Sequence, residues 1–382
     1  MEFVLNTQNV FDYLVQQGLF TQAELNLGQV ELKTAKNFNL LLELSNESKL
    51  LVKQERPNKK KTTGELVNEW RFHEFIEQFS ELNQIRSFFP EILHFNVDDS
   101  VIVLKYFDDY CDLSEFYAQD KNFATEIATL IGTLLATIHR TTFEHQAYQN
   151  FFEKDVSADQ SNPFWTLGRL TPEIFGHYSA DILKFFSLYQ RYDSFNQAIA
   201  HLTTNAFNPC CLVHNDFKLN NILLHVNWEQ TSLEPIRLID WERCSWGDPA
   251  FDLGTIIASY LGLWLGSLVV STSMSLEESL RLAMIPLEEL QPSIAALTVA
   301  YFKQFPKILA SQSNFLHRVI QFTGLALIHQ IKATIQYQKA FNNTGICTLQ
   351  VAKSLLCNPV QSISTVFGQS ESELIANSCL SI

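Results

Sequence analysis

The sequence has no C-x-x-C pair, and none of its seven cysteines stands with histidines at zinc-ligand spacing, which argues against a zinc finger or a C-x-x-C redox centre. It is poor in basic residues. Against 41 Asp and Glu there are only 27 Lys and Arg, giving a formal charge of −14 and a pI near 5.2. A general nucleic-acid binder carries the opposite footprint, so no nucleic-acid partner is expected. Met1-Glu2-Phe3-Val4-Leu5-Asn6 lacks a basic stretch followed by an apolar one, so no secretory signal is expected. The odd cysteine count then reads as free thiols in a reducing cytoplasm. No clean membrane span is present. Residues 253–276 are uncharged and long enough. Gly254, Ser259, Gly262, Gly266, Ser267 and Thr272 dilute that stretch and no Lys or Arg flanks it, so it reads as a buried helix running into a polar loop. There is no internal repeat and no G-x-G-x-x-G loop.

What remains is rich in apolar residues. Hydrophobic residues make up 46% of the 382 positions and charged ones 18%, enough to bury a large core and too long for one small domain. The 30 phenylalanines belong to that interior. The acidic surface serves solubility and suits a cationic substrate.

Local patterns divide the chain near Tyr106. Val10, Tyr13 and Leu14 mark a short amphipathic helix capped by Asn6 or Thr7 and stopped by Gly18. Residues 39–44 and 49–53 predict a hairpin turning at Ser45-Asn46-Glu47-Ser48. A polar loop, Pro57-Asn58-Lys59-Lys60-Lys61, follows. Thr62 and Glu65 form a capping-box pattern ahead of a helix through Leu66, Glu69, Trp70, Phe75, Ile76 and Phe79. Two more strands are predicted at 92–97 and 101–104. Beyond Tyr106 the pattern turns helical, as in 127–140, apart from one hairpin. Its strands are 222–226 and 236–239, with the turn at 229–232. The Ser- and Gln-rich end from Asn358 reads as a loose tail.

The chemistry concentrates in His214-Asn215-Asp216-Phe217-Lys218-Leu219-Asn220-Asn221 and Ile239-Asp240-Trp241-Glu242. Phosphoryl transfer from ATP needs positioning and charge neutralisation more than covalent chemistry. It asks for a carboxylate at the acceptor hydroxyl, oxygen ligands for Mg²⁺, and a Lys on the phosphates fixed by a Glu. Asp216 stands five residues before Asn221, as in an H-x-D-x-x-x-x-N loop, and Asp240 closes the hairpin after it. Lys53 ends an apolar strand, and Glu69, with Glu65 as competitor, lies on the next helix.

These motifs resemble the aminoglycoside phosphotransferase and choline kinase branch of the protein-kinase-like superfamily. The resemblance is strongest over residues 212–253, including Gly247-Asp248-Pro249-Ala250-Phe251-Asp252, and weaker over 41–106 and the helix ending His139-Arg140. It implies a two-lobed α+β kinase-like fold. Residues 1–106 would form a small sheet-plus-helix lobe that binds nucleotide. Residues 107–382 would form a large, mainly helical lobe for catalysis and the acceptor. ATP and Mg²⁺ would be the cofactors. Asp216 would be the catalytic base, Asn221 and Asp240 the metal ligands, and Lys53 with Glu69 the phosphate grip. Leu104 to Phe107, including Tyr106, would receive the adenine. Asp248 and Asp252 would brace the loop and His214. The missing Gly-rich loop would be replaced by Thr34-Ala35-Lys36-Asn37-Phe38-Asn39, with Lys36 or Asn37 approaching the phosphates. Lys218 is a position that protein kinases use to neutralise the transferred group.

Three acceptors fit: an aminoglycoside or amino sugar, a choline-like alcohol caged by Trp165, Trp241 and Trp246, or a Ser or Thr hydroxyl of a peptide. The competing class is a catalytically inactive pseudokinase that acts as a binding module. Its support is the absent Gly-rich loop, and the retained Lys53, Asp216, Asn221 and Asp240 argue against it.

Overall fold

The computed structural model describes residues 3–21, 29–33, 37–44, 48–55, 64–154, 179–230, 234–270 and 274–379. Strands run Gln29–Lys33 (β1), Phe38–Glu43 (β2), Lys49–Gln54 (β3), Ile92–Asn96 (β4), Val101–Lys105 (β5), Tyr110–Asp112 (β6), Cys211–Val213 (β7), Ile222–His225 (β8), Ile236–Leu238 (β9) and Ser245–Gly247 (β10). Packing groups the chain into two units, Met1–Phe116 with Asn220–Cys244, and Tyr117–Leu219 with Ser245–Ile382.

In the first unit β1 to β5 form one antiparallel sheet in the order β1-β2-β3-β5-β4. Side chains alternate between its faces. Leu40, Leu42, Leu50, Val52, Val101 and Val103 point to one face, where they bury Val10, Tyr13 and Leu14 of the Val10–Gln16 helix. Ile102 and Leu104 point to the other and pack on Leu66 of the Glu65–Gln78 helix. Lys53 pairs with Ile102 across the sheet, so the same alternation turns it toward that second helix. A second sheet, β6-β8-β9, completes the unit.

The second unit is helical apart from the β7–β10 pair. Its core packs Thr125–Thr142 on Leu287–Gln304, and Pro249–Gly266 on Phe315–Gln338. Both contacts need a glycine. A Cβ on Gly132 would overlap the Leu297 carbonyl, and one on Gly254 would lie 2.8 Å from the Thr323 amide nitrogen. The uncharged 253–276 stretch forms most of the buried Pro249–Gly266 helix. Among the described residues no helix is long and apolar enough to cross a membrane.

Several elements depart from the sequence expectation. The edge strand β1 and the three-residue strands β6, β7 and β10 are too short or too exposed to show a period. The Glu65–Gln78 helix has Gly64 at its N-cap, and Glu55 accepts the amide hydrogens of Glu65 and Leu66 at 2.6 and 3.2 Å. Thr62, the expected cap, lies outside the described residues, as do the Pro57–Lys61 loop, most of the Ser45–Ser48 turn and half of the 229–232 turn. The end of the chain is not a loose tail. Pro359–Phe367 and Glu371–Cys379 are helices, with Ile363, Val366 and Phe367 buried at helical spacing and the αL residue Gly368 as the stop. Its Ser and Gln residues dilute an apolar stripe that the composition hides.

Candidate active site

Lys53 leaves β3 on the face of the Glu65–Gln78 helix and meets two carboxylates. Its Nζ donates to both oxygens of Glu69 at 3.2 Å and to Asp240 Oδ1 at 2.7 Å. Lys53 is 6% exposed and Glu69 3%. Asp240 is placed by a different device. Phe72, three residues after Glu69, stacks on Trp241 at 4.0 Å between centroids and 5° between planes, with Phe89 against the same indole. That apolar contact sets the helix against the turn after β9, so Glu69 and Asp240 converge on one ammonium. Asp240 itself has φ +61°, a left-handed conformation that Asp tolerates better than most residues.

The electrostatics are asymmetric. Burial pulls the Lys53 ammonium toward neutrality, but Glu69 and Asp240 outweigh it, and its pKa is raised. Burial raises the Glu69 carboxyl, Lys53 offsets only part of this, and Asp240 adds to it, so Glu69 also sits above its ordinary value. One cation shared by two carboxylates satisfies the cation better than it satisfies either acid.

This triad faces a cavity of about 280 Å³ built wholly within the first unit. Leu51, Leu104 and Leu223 give it apolar walls, and Tyr106 and Phe107 line it beyond β5. Apolar walls with a charged end suit a base joined to phosphates. The Tyr106 amide donates to the Lys49 carbonyl at 3.0 Å, which ties the segment after β5 to the start of β3.

In the second unit the loop carrying Asp216 hangs on buried acids. Asp252 accepts the His214 amide on Oδ2 at 2.7 Å and the Asn215 amide on Oδ1 at 2.9 Å. His139 lies 3.3 Å from the same Oδ2, and its other ring nitrogen lies 2.9 Å from the Tyr301 hydroxyl. Asp248 caps the Pro249–Gly266 helix through the Ala250 amide at 3.0 Å, accepts the Asn208 amide at 2.9 Å, and pairs with Arg318 at 2.8 Å. Asn215 adopts φ +61°, and its side chain donates to Ser245 Oγ at 2.8 Å. Asp216 leaves this braced turn with Lys218 Nζ 2.8 Å from its Oδ2.

The sequence-predicted residues therefore distribute unevenly. Lys53, Glu69 and Asp240 meet, and Leu104 and Tyr106 line the same cavity. Of the two glutamates in question, Glu69 reaches Lys53. Asn221 is buried, with its carbonyl accepting the Ile239 amide at 3.0 Å, and its neighbour Asn220 lines the cavity. Asn37 is half-buried ahead of β2 and is not on the cavity wall. Lys36 and Trp165 lie outside the described residues. Trp241 is packed between phenylalanines at 2% exposure, which removes it as a wall of an aromatic cage. Glu55, His139, Tyr301 and Arg318 were missed as supports. The sequence marks the helix that ends at His139, and no local pattern names the partners of the others.

The sequence profile of the phosphotransferase enzyme family matches residues 35–274. No curated protein matches in sequence. Among solved structures, amicoumacin kinase hAmiN in complex with AMP-PNP, Ca²⁺ and Ami is 12% identical, over 90% of this chain and 92% of that one, with a TM-score of 0.53. The ADP-bound aminoglycoside phosphotransferase APH(2'')-Ib is 15% identical, over 95% and 99%, with a TM-score of 0.48. Choline kinase LicA from Streptococcus pneumoniae is 16% identical, over 91% and 98%, with a TM-score of 0.42. The first of these likenesses shows the fold, a kinase-like α+β architecture with a small antiparallel-sheet lobe and a mainly helical remainder.

Proposed function

The chain belongs to the phosphotransferase enzyme family, and on that premise we propose that it moves the γ-phosphoryl group of ATP to a hydroxyl of a small molecule. An aminoglycoside, an amino sugar or a choline-like alcohol is the acceptor class. The observation that carries this reading is the Lys53–Glu69–Asp240 cluster at the charged end of a 280 Å³ cavity. A buried lysine held by two acids has little value to stability alone, because desolvation offsets the attraction. It has value as a preformed grip for phosphate oxygens and their counter-ion.

In this reading Lys53 holds the α- and β-phosphates and Glu69 keeps it aimed. Leu104 and the Tyr106 segment receive the base. The donor set suits Mg²⁺, since Asp240 and Asn221 offer only hard oxygen ligands, and among the described residues no cluster of three His, Cys, Asp or Glu competes as a metal cage. Asp240 and Asn221 would hold Mg²⁺, whose positive charge would offset the charge that develops on the phosphates. Asp216 orients the acceptor hydroxyl and takes its proton. Lys218 Nζ, 2.8 Å from Asp216 Oδ2, fixes that oxygen. The sequence reading gives 1–106 to the nucleotide and 107–382 to catalysis and the acceptor, and the cavity read as the nucleotide site also draws Asn220, Leu223, Ile239 and Asp240 from the later segment. The free cysteines support a cytoplasmic setting.

Nucleotide thermal shift tests the reading first. AMP-PNP with Mg²⁺ at about 100 times Kd should stabilise the protein by about 2.7 kcal/mol. No shift with any nucleotide refutes it. A screen with γ-labelled ATP against amino sugars, quaternary ammonium alcohols and Ser- or Thr-containing peptides then assigns the acceptor, and label on peptide alone overturns the small-molecule assignment.

A further inference from the structure

The strand that carries Lys53 and the helix that carries Glu69 are tied together by one side chain. Glu55 follows β3 directly, two residues after Lys53, and is 4% exposed. Its amide donates to the Ser100 carbonyl at 3.2 Å, so its backbone still belongs to the sheet side of the unit. Its Oε1 accepts the first two amide hydrogens of the helix, from Glu65 at 2.6 Å and Leu66 at 3.2 Å. The residue at the N-cap position, Gly64, has φ +73° and no side chain to do this work. The cap therefore comes from the residue that follows the strand and not from the N-cap residue itself.

The geometry of a helix gives the cap its reach. Residues four apart lie one above the other on one face, so fixing the Glu65 amide fixes the rise and rotation of Glu69 one turn later. Glu55 directly follows the strand that holds Lys53, and Glu65 and Glu69 share the helix. The Glu55–Glu65 bond and the Lys53–Glu69 pair thus close one ring of contacts.

We propose that Glu55 is a positioning residue that sets Glu69 against Lys53 and thereby sets the affinity of the cavity for nucleotide phosphates. This rests on the ATP reading above. Glu55 is not among the residues that line the cavity. It acts by holding the helix, through an acceptor oxygen at a fixed reach.

Three variants separate the terms: Glu55→Gln keeps the acceptor oxygen and drops the charge, Glu55→Asp keeps the charge and withdraws the oxygen by one methylene, and Glu55→Ala removes both. Calorimetric titration with Mg·AMP-PNP should give Glu55→Gln an affinity within about threefold of wild type, and Glu55→Asp and Glu55→Ala an affinity about five- to tenfold weaker, the size of a lost helix cap. In a Glu69→Gln background the Glu55→Asp change should add almost nothing to the loss of affinity, because the residue through which it acts is already disabled. A merely structural role predicts full additivity, and additive losses overturn the proposal. So does unchanged affinity in Glu55→Asp, or a tenfold loss in Glu55→Gln. Should Glu55→Ala fail to fold, the Gln and Asp variants still decide the matter. Wild-type protein that binds no nucleotide overturns the ATP reading and this inference together, whereas wild-type binding with an indifferent Glu55→Asp overturns this inference alone.

Discussion

Replacing Lys53 with Met removes one ammonium and keeps an unbranched chain of similar volume in a site 6% exposed. Glu69 is then a carboxylate at 3% exposure, without the cation that holds both its oxygens at 3.2 Å and with Asp240 as a repulsive neighbour. Two routes bound the cost. A buried charge left behind by its partner costs about 3–5 kcal/mol. Taking up a proton instead costs about 1.4 kcal/mol for each pH unit above the unfolded pKa. From the ordinary Glu value of 4.5 that is about 3.4 kcal/mol at pH 7. Protonation is no dearer than the stranded charge, so it sets a penalty of about 3 kcal/mol.

The sign of the pH dependence follows. In the variant Glu69 has a folded pKa above its unfolded value, so the folded state binds the extra proton. Its stabilising effect is fully present below pH 4.5 and is lost as pH rises. Wild-type Glu69 also sits above 4.5, so the deficit relative to wild type should grow, by up to about 1.4 kcal/mol per unit, only once pH passes that wild-type value on the way to pH 7. Urea unfolding of wild type, Lys53→Met and Lys53→Met/Glu69→Gln at pH 5, 6 and 7 measures it. The double variant should regain about 2–3 kcal/mol at pH 7, because no charge remains to be stranded at position 69. A Lys53→Met protein as stable as wild type at pH 7 refutes the reasoning. So does a deficit that stays constant toward pH 5, or one that Glu69→Gln does not relieve.

Asp216→Asn should lower turnover by about 10²–10⁴-fold and leave Mg·AMP-PNP affinity within about twofold, because the lost function is proton acceptance at the acceptor; equal turnover on an identified acceptor would falsify its assignment. Gly254→Ala should destabilise the protein by about 1–3 kcal/mol in urea unfolding. The added Cβ would meet the Thr323 amide nitrogen and Val319 carbonyl oxygen at 2.8 Å, and backbone atoms give way far less readily than side-chain ends. An unchanged midpoint shows that the two helices separate without cost.

Legibility in the sequence tracked the range of the interaction. Glu69 was readable beside Glu65 as one of two acids a turn apart at the start of the helix, and the structure joins Glu69 to Lys53. Trp241 was not readable as core, since a tryptophan in a loop reads equally well as a cage wall until Phe72 is seen stacked on it. The helices after Asn358 were hidden because Ser and Gln outnumber the few apolar positions that bury.

The sequence by itself determined the chemistry-bearing segments, because their geometry is local: a five-residue spacing from Asp216 to Asn221, a hairpin ending at Asp240, an alternation that turns Lys53 away from the sheet's first face. Only the tertiary structure decided who holds them. Lys53 and Asp240 are 187 residues apart, Asp248 and Arg318 70, and Glu55 reaches a helix start ten residues on from a strand end that the intervening sequence does not orient. Such partners are selected by which faces of helix and sheet pack together. That choice is made by the summed burial of many apolar side chains, and no short pattern encodes it.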